Sequence, residues 1–251
     1  MYAIDLNSDI GESFGAYKLG DDEGIISQVT AANAACGWHA GDPMVMDKVV
    51  RLCKEHGVSL GAHPGYPDLM GFGRRKMSLS FAEAKNYVKY QMGALSAFAQ
   101  CYGMKLHHVA PHGAMGNQCQ YDEDLARAIC EAVYEFDKDL IIYYCAGAVL
   151  GKVAEDMGLR TACEIFADRA YMDDLSLAPR KMEGSMITDE EVAIRRCVRM
   201  IKEGKVTALS GKELDIKGDT LCVHGDGPKA LAFVKRIRET FQKEGIQIKA
   251  I

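Results

Sequence analysis

The sequence predicts an α/β fold, a parallel sheet of about seven strands closed or partly closed into a β/α barrel. Three observations predict it. Short apolar strand-like runs alternate with amphipathic helical runs about seven times, as expected for parallel strands joined by crossover helices. The length of 251 residues matches the ~250 typical of such barrels. Several short strands run into polar residues, and barrel enzymes carry their sites at strand C-termini. An open doubly wound sheet also fits the alternation, but no GxGxxG follows any strand.

Tyr2–Leu6 and Val29–Ala35 read as the first two strands. Asp42-Pro43 then opens a helix, with Asp as N-cap and Pro at the first helical position, and Met46, Val49, Val50 and Cys53 face inward. Val58–Ala62 is a third strand. Ser80 and Glu83 form a capping box ahead of Phe81, Ala84, Val88, Met92, Leu95 and Phe98 at helical spacing. Leu106–Ala110 is a fourth strand, followed by a helix from near Asp122 with Leu125, Ile129, Val133 and Phe136 inward. Leu140–Tyr144, a helix over Val149–Met157 and Leu159–Ile165 come next. Thr188-Asp-Glu-Glu191 reads as a second capping box, for a helix to about Glu203. Val206–Leu209 and Glu213–Ile216 flank Ser210-Gly211 as a hairpin. Thr220–His224 is the last strand and Pro228–Lys243 the last helix.

Composition narrows the function. Lys plus Arg number 30 against 35 Asp plus Glu, a formal charge of −5, which disfavours binding of nucleic acid by charge. Nine cysteines contain no CxxC, and most sit in apolar runs, so buried reduced thiols in a cytoplasmic protein are expected. The start, Met1-Tyr-Ala-Ile-Asp5, lacks the basic segment of a signal peptide. The longest uncharged apolar stretch, Leu140 to Gly151, is too short to span a bilayer, so no membrane partner is expected. Self-association into a homo-oligomer stays open.

The strand ends carry the chemistry. They supply Asp5, Asn7, Asp9, Asn33, His39, His63, His112, Asn117, Glu164, Asp168, Arg169 and His224-Gly225-Asp226-Gly227. Histidines 39, 63, 108, 112 and 224 fall at or just past a strand C-terminus, whereas His56 sits on a helix. Carboxylates and imidazoles converging on one pocket suit general acid–base work, a divalent metal (Mg or Zn), or both. Asp5, Asp9 and His63 are the candidate metal ligands. Neither HExxH, GxSxG nor a Walker A loop occurs. Two glycines running into a Pro-initiated helix at His224–Gly227 read as a phosphate cradle, or as a tight βα turn. Arg74, in the basic run Arg74-Arg75-Lys76, reads as an anchor for a substrate carboxylate.

Six segments, read together, resemble the LamB/YcsF family, the A subunits of bacterial ATP-dependent 5-oxoprolinases. They are Asp5-Leu-Asn-Ser-Asp-Ile-Gly-Glu-Ser-Phe-Gly15, Ala32-Asn-Ala-Ala-Cys-Gly-Trp-His-Ala-Gly-Asp42, Gly61-Ala-His-Pro-Gly-Tyr-Pro-Asp-Leu-Met-Gly-Phe-Gly-Arg-Arg75, Pro111-His-Gly-Ala114, Phe166-Ala-Asp-Arg169 and Cys222-Val-His-Gly-Asp226. They span almost the whole chain, in order. The resemblance implies a single domain over residues 1–251, an irregular seven-stranded parallel β/α barrel of polysaccharide-deacetylase-like architecture. It also implies ATP as cofactor, 5-oxoproline or a related small lactam as substrate, L-glutamate as product, and separate B and C subunits as partners. Family members read Lys and Tyr where this chain has Ala110 and Gly116.

On that basis His63 or His112 is the expected base. Asp5 and Asp9 orient it or hold a divalent ion. Asn7, Asn33, His39, Arg74, Asn117, Glu164, Asp168 and Arg169 meet substrate, and His224, Gly225, Asp226 and Gly227 meet phosphate. Two other readings stay open: a stand-alone metal-dependent amidohydrolase or deacetylase, and a non-catalytic subunit that binds a lactam or sugar.

Overall fold

Parallel strands close on themselves in the computed structural model, which describes residues 2–223 and 229–251. In chain order the elements are β1 (Tyr2–Ile10), α1 (Asp22–Ile26), β2 (Ala31–Ala35), α2 (Pro43–His56), β3 (Ser59–His63), a 3₁₀ turn (Leu69–Gly71), α3 (Phe81–Cys101) and β4 (His108–Val109). Next come α4 (Gly113–Gln118), α5 (Glu123–Phe136), β5 (Ile141–Cys145), α6 (Val149–Asp156), β6 (Arg160–Phe166) and α7 (Glu190–Glu203). The chain finishes with β7 (Lys205–Thr207), β8 (Glu213–Asp215), β9 (Thr220–Cys222), α8 (Ala230–Lys243) and β10 (Ile246–Ile248).

The barrel runs β1-β2-β3-β4-β5-β6-β9 and closes through β9 on β1, with Asp5 opposite Thr220 and Asn7 opposite Cys222. This closure selects the barrel over the open sheet that the alternation also fits, with the seven strands the resemblance implies. β10 adds an eighth strand alongside the first residues of β1, and β7 with β8 forms the expected antiparallel hairpin. No described helix is long and apolar enough to cross a membrane.

Local chemistry explains the start of several main helices. Asp42 accepts from the backbone of Met44 and Val45 at 2.8 and 3.0 Å, and Gly57 ends α2 in the left-handed region. The Ser80–Glu83 capping box is present. The box expected at Thr188 is not: Asp189 caps α7 instead, accepting from Val192 N at 3.0 Å. A carboxylate one residue on is the better acceptor for the positive helix end.

Two strands differ from expectation for physical reasons. β1 continues four residues beyond Leu6. Its inward positions Asn7 and Asp9 are polar, which hides the strand from an apolar-run criterion, while Ser8 and Ile10 stay buried on the other face. β4 shrinks to His108–Val109, yet His107 N and Ala110 N still bond to Leu60 O and Ala62 O of β3, at 2.8 and 2.9 Å. Pro111 has no N–H with which to continue. α1, α4, β10 and the 3₁₀ turn are short elements beyond the sequence reading.

The main apolar core lies between strands and helices. A second, small cluster of Ala110, Ile141, Tyr143 and Ala162 lies apart from it. Around that cluster the barrel interior is polar. Gly61 permits this, because a Cβ there would lie 2.1 Å from the His108 ring.

Candidate functional site

A cavity of about 420 Å³ opens at the C-terminal ends of the strands. Asp9 enters it from β1, His63 from the last position of β3, His112 from just past β4, and Glu164 from β6; Arg74, Asn117 and Arg169 also line it. Of the residues expected to meet at one mouth, these seven are brought together.

The others are placed differently. Asp5 lies deeper, accepting from Thr30 Oγ1 and Thr220 Oγ1 at 2.6 Å each and from Tyr143 OH at 3.1 Å. It is therefore not among the groups available to a metal in the cavity. Asn7 donates to Thr220 Oγ1 at 2.7 Å. Asn33 donates to Asn7 Oδ1 at 2.8 Å and to Asp9 Oδ1 at 2.9 Å, and accepts from His108 Nε2 at 2.7 Å. Asn7 and Asn33 are thus engaged inside the barrel rather than lining the cavity. Asn33 holds one oxygen of Asp9 and leaves the other facing His63. Asp168 does not line the cavity. His224, Gly225, Asp226 and Gly227 lie outside the described residues.

His39 sits behind the wall. Its ring stacks on His112 with centroids 3.7 Å apart and planes 5° from parallel. It is fully buried, and neither ring nitrogen has a hydrogen-bond partner among the described residues. Gly73, at φ +63°, lets the chain pass, since a Cβ there would come within 2.7 Å of His39.

The hydrogen bonds fix the imidazole protons. His63 Nδ1 lies 2.6 Å from Ala110 O, and His112 Nε2 lies 2.8 Å from Phe72 O. A carbonyl only accepts, so both nitrogens carry protons. His63 Nε2 then faces His112 Nδ1 at 2.9 Å and Asp9 Oδ2 at 3.3 Å. Without an ion, the proton between the rings belongs to His63. Burial alone would lower the His63 pKa, but the Asp9 carboxylate, aided by Glu12, overrides it and raises the value to about 9. Burial and the His63 charge push His112 down to about 3, and burial holds His39 well below its usual range.

The same arrangement suits a cation. Glu12, His39, His63 and His112 each offer one ligand atom, all within 4.8 Å of one another. The bonds from His63 and His112 to backbone carbonyls orient each ring so that its other nitrogen points into the cluster. His39 brings two buried nitrogens without partners among the described residues. The cluster can hold a divalent metal on nitrogen and carboxylate ligands. His63 is common to this set and to the expected one, whereas Asp5 and Asp9 are not among these ligand atoms. Sequence reasoning did not single out Glu12. The available signal was Gly11, at φ +69°, which turns the chain just after β1. Cys145, Arg180 and Lys181 also line the cavity without having been singled out.

The LamB/YcsF family model matches residues 4–251. A Campylobacter jejuni protein, named as the A subunit of 5-oxoprolinase, is 56% identical over 251 residues, covering 100% of this chain and 98% of that protein. A Pyrococcus horikoshii protein of the same name is 54% identical over 245 residues, covering 98% and 96%. The crystal structure of a lactam utilization protein from Thermus thermophilus aligns with a TM-score of 0.94 and 48% identity, over 99% of this chain and 100% of that one. A family 4 carbohydrate esterase from Streptomyces lividans shares the fold alone, at 11% identity and a TM-score of 0.52 over 100% and 93%.

Proposed function

The chain belongs to the LamB/YcsF family, and we propose that it is the A subunit of an ATP-dependent 5-oxoprolinase, opening the 5-oxoproline lactam to L-glutamate. Full-length relatedness to proteins named as this subunit supports the substrate. One observation carries the chemistry: the Asp9 carboxylate is held by Asn33 on one oxygen and faces His63 with the other, at the wall of a cavity.

A five-membered lactam is a poor electrophile. Transfer of a phosphoryl group from ATP to its carbonyl oxygen, in concert with the B and C subunits, would make the ring carbon attackable. Water then adds, the C–N bond breaks with the nitrogen leaving with a proton as the glutamate amine, and a second water hydrolyses the acyl phosphate so formed to L-glutamate and inorganic phosphate. Asp9 takes the proton of the attacking water. In the absence of an ion, His63, protonated on both nitrogens, donates toward the phosphorylated oxygen on the ring carbon. His112 fixes His63 through the 2.9 Å contact. A divalent metal held by Glu12, His39, His63 and His112 would supply Lewis-acid polarisation of that oxygen. Asp9, outside that set, stays the base in either case. Arg74 at the rim and Arg169 in the wall are the cations an anionic substrate meets.

The test is reconstitution. Purified chain, B and C subunits, ATP and 5-oxoproline are combined and glutamate is measured. Glutamate formation that requires all three subunits is the expected result, and none above background overturns the assignment. The Glu12–His39–His63–His112 cluster favours one second reading, a stand-alone metal-dependent amidohydrolase. Lactam opening without ATP by the zinc-loaded chain alone would select it.

A further inference from the structure

We infer that the cavity wall just past β6 is a carboxylate subsite, and that Arg169 makes this chain select lactams bearing a carboxylate over bare lactams. The inference rests on the lactam reading above. Arg169 is 5% exposed and lines the cavity. Its Nη2 donates to Ala178 O at 2.7 Å, which pins the plane of the guanidinium. Its Nε–H is buried and has no acceptor among the described residues. A guanidinium keeps its charge when buried, and a buried charge calls for a counter-charge. Of its charged neighbours, Arg180 disfavours that charge and Asp168 favours it.

A carboxylate is the planar acceptor a guanidinium edge takes best, and it would satisfy the orphaned donor. Arg74 differs. It is exposed at the rim, stacked over the Phe72 ring at 4.9 Å, where water competes for its charge. Asp9 and His63 line the same cavity. A ligand whose carboxylate sits on Arg169 would therefore have its orientation fixed relative to them. 5-Oxoproline carries that carboxylate on the carbon next to the ring nitrogen, whereas 2-pyrrolidinone is the same ring without it.

The experiment compares binding of these two lactams to the full chain by titration calorimetry, in wild type and variants, with Tm measured alongside. Wild type is expected to bind 5-oxoproline at least about tenfold more tightly than 2-pyrrolidinone. Arg169→Gln should bring the ratio close to one while leaving 2-pyrrolidinone affinity and Tm nearly unchanged. Arg51→Gln, at an exposed cation of α2 that does not line the cavity, should keep the ratio. Should Arg169→Gln fail to fold, Arg169→Lys carries the test and should lower the ratio at least threefold, because an ammonium lacks the planar fork. An unchanged ratio, a wild type that does not prefer 5-oxoproline, or equal loss of both ligands with a lowered Tm overturns the subsite. Failure of the reconstituted enzyme to form glutamate, with the binding ratio intact, overturns the function and leaves the subsite standing.

Discussion

The barrel interior holds two polar clusters built from similar residues, and they differ in how fully their hydrogen bonds are used. In the deep cluster, Asp5 accepts from Thr30, Thr220 and Tyr143, and Asn7 closes the circuit through Thr220. At the mouth, His39 has two nitrogens without partners among the described residues, and a single proton lies between His63 and His112. A satisfied cluster specifies structure, whereas an unsatisfied one facing a cavity is ready for a ligand. Residue type alone does not separate the two.

Three measurements test this difference. The largest effect is expected at the mouth. His63→Ala should lower glutamate formation by the reconstituted enzyme about 10²–10³-fold, the range for loss of a donor that stabilises developing charge, with the far-UV circular dichroism spectrum unchanged. A loss below tenfold would remove His63 from the mechanism.

The deep cluster should respond in stability. Asp5→Ala deprives three hydroxyls of their acceptor and should cost on the order of 2–4 kcal/mol in urea unfolding. Activity per folded molecule should fall far less than in His63→Ala. The reverse pattern would merge the two clusters into one site.

The smallest effect concerns pH, in chelator-treated protein. His63 is raised from 6.5 to about 9, so its contribution is complete below pH 6.5 and is lost as pH rises through 9. His112 is lowered from 6.5 to about 3, so its contribution is present above pH 6.5 and is lost as pH falls toward 3. Together they predict a stability maximum near pH 6.5 for this pair. His63→Gln should flatten the alkaline limb in denaturant titrations across pH, and an alkaline limb unchanged by the substitution would contradict the charge assignment.

Much of the fold is legible in the sequence because it follows from local rules. Asp42-Pro43 and Ser80–Glu83 specify helix starts through neighbouring donors and acceptors, and the apolar face of α2 at Met46, Val49, Val50 and Cys53 is buried as its spacing predicts. Asp9, His63, His112, Asn117, Glu164 and Arg169 are legible as strand-end polar residues, and they do line the cavity. Asp5, Asn7 and Asn33 fall to the same place on that criterion because alternation reports which face a side chain takes and says nothing of its depth. Depth depends on register with the neighbouring strands. Glu12 escapes because it lies past the strand, where a loop conformation aims it.

The sequence by itself determined the order of the barrel strands and longer helices, the caps of α2 and α3, the alternation that makes a barrel, and the family. Those depend on residues a few positions apart, or on long matched segments. Only the tertiary structure decided which polar groups are saturated and which remain open. Asp5 meets Thr220 across 215 positions, and Asn33 meets His108 across 75. Such partners are chosen when the barrel closes, because hydrogen-bond satisfaction depends on positions in space, which sequence spacing does not encode.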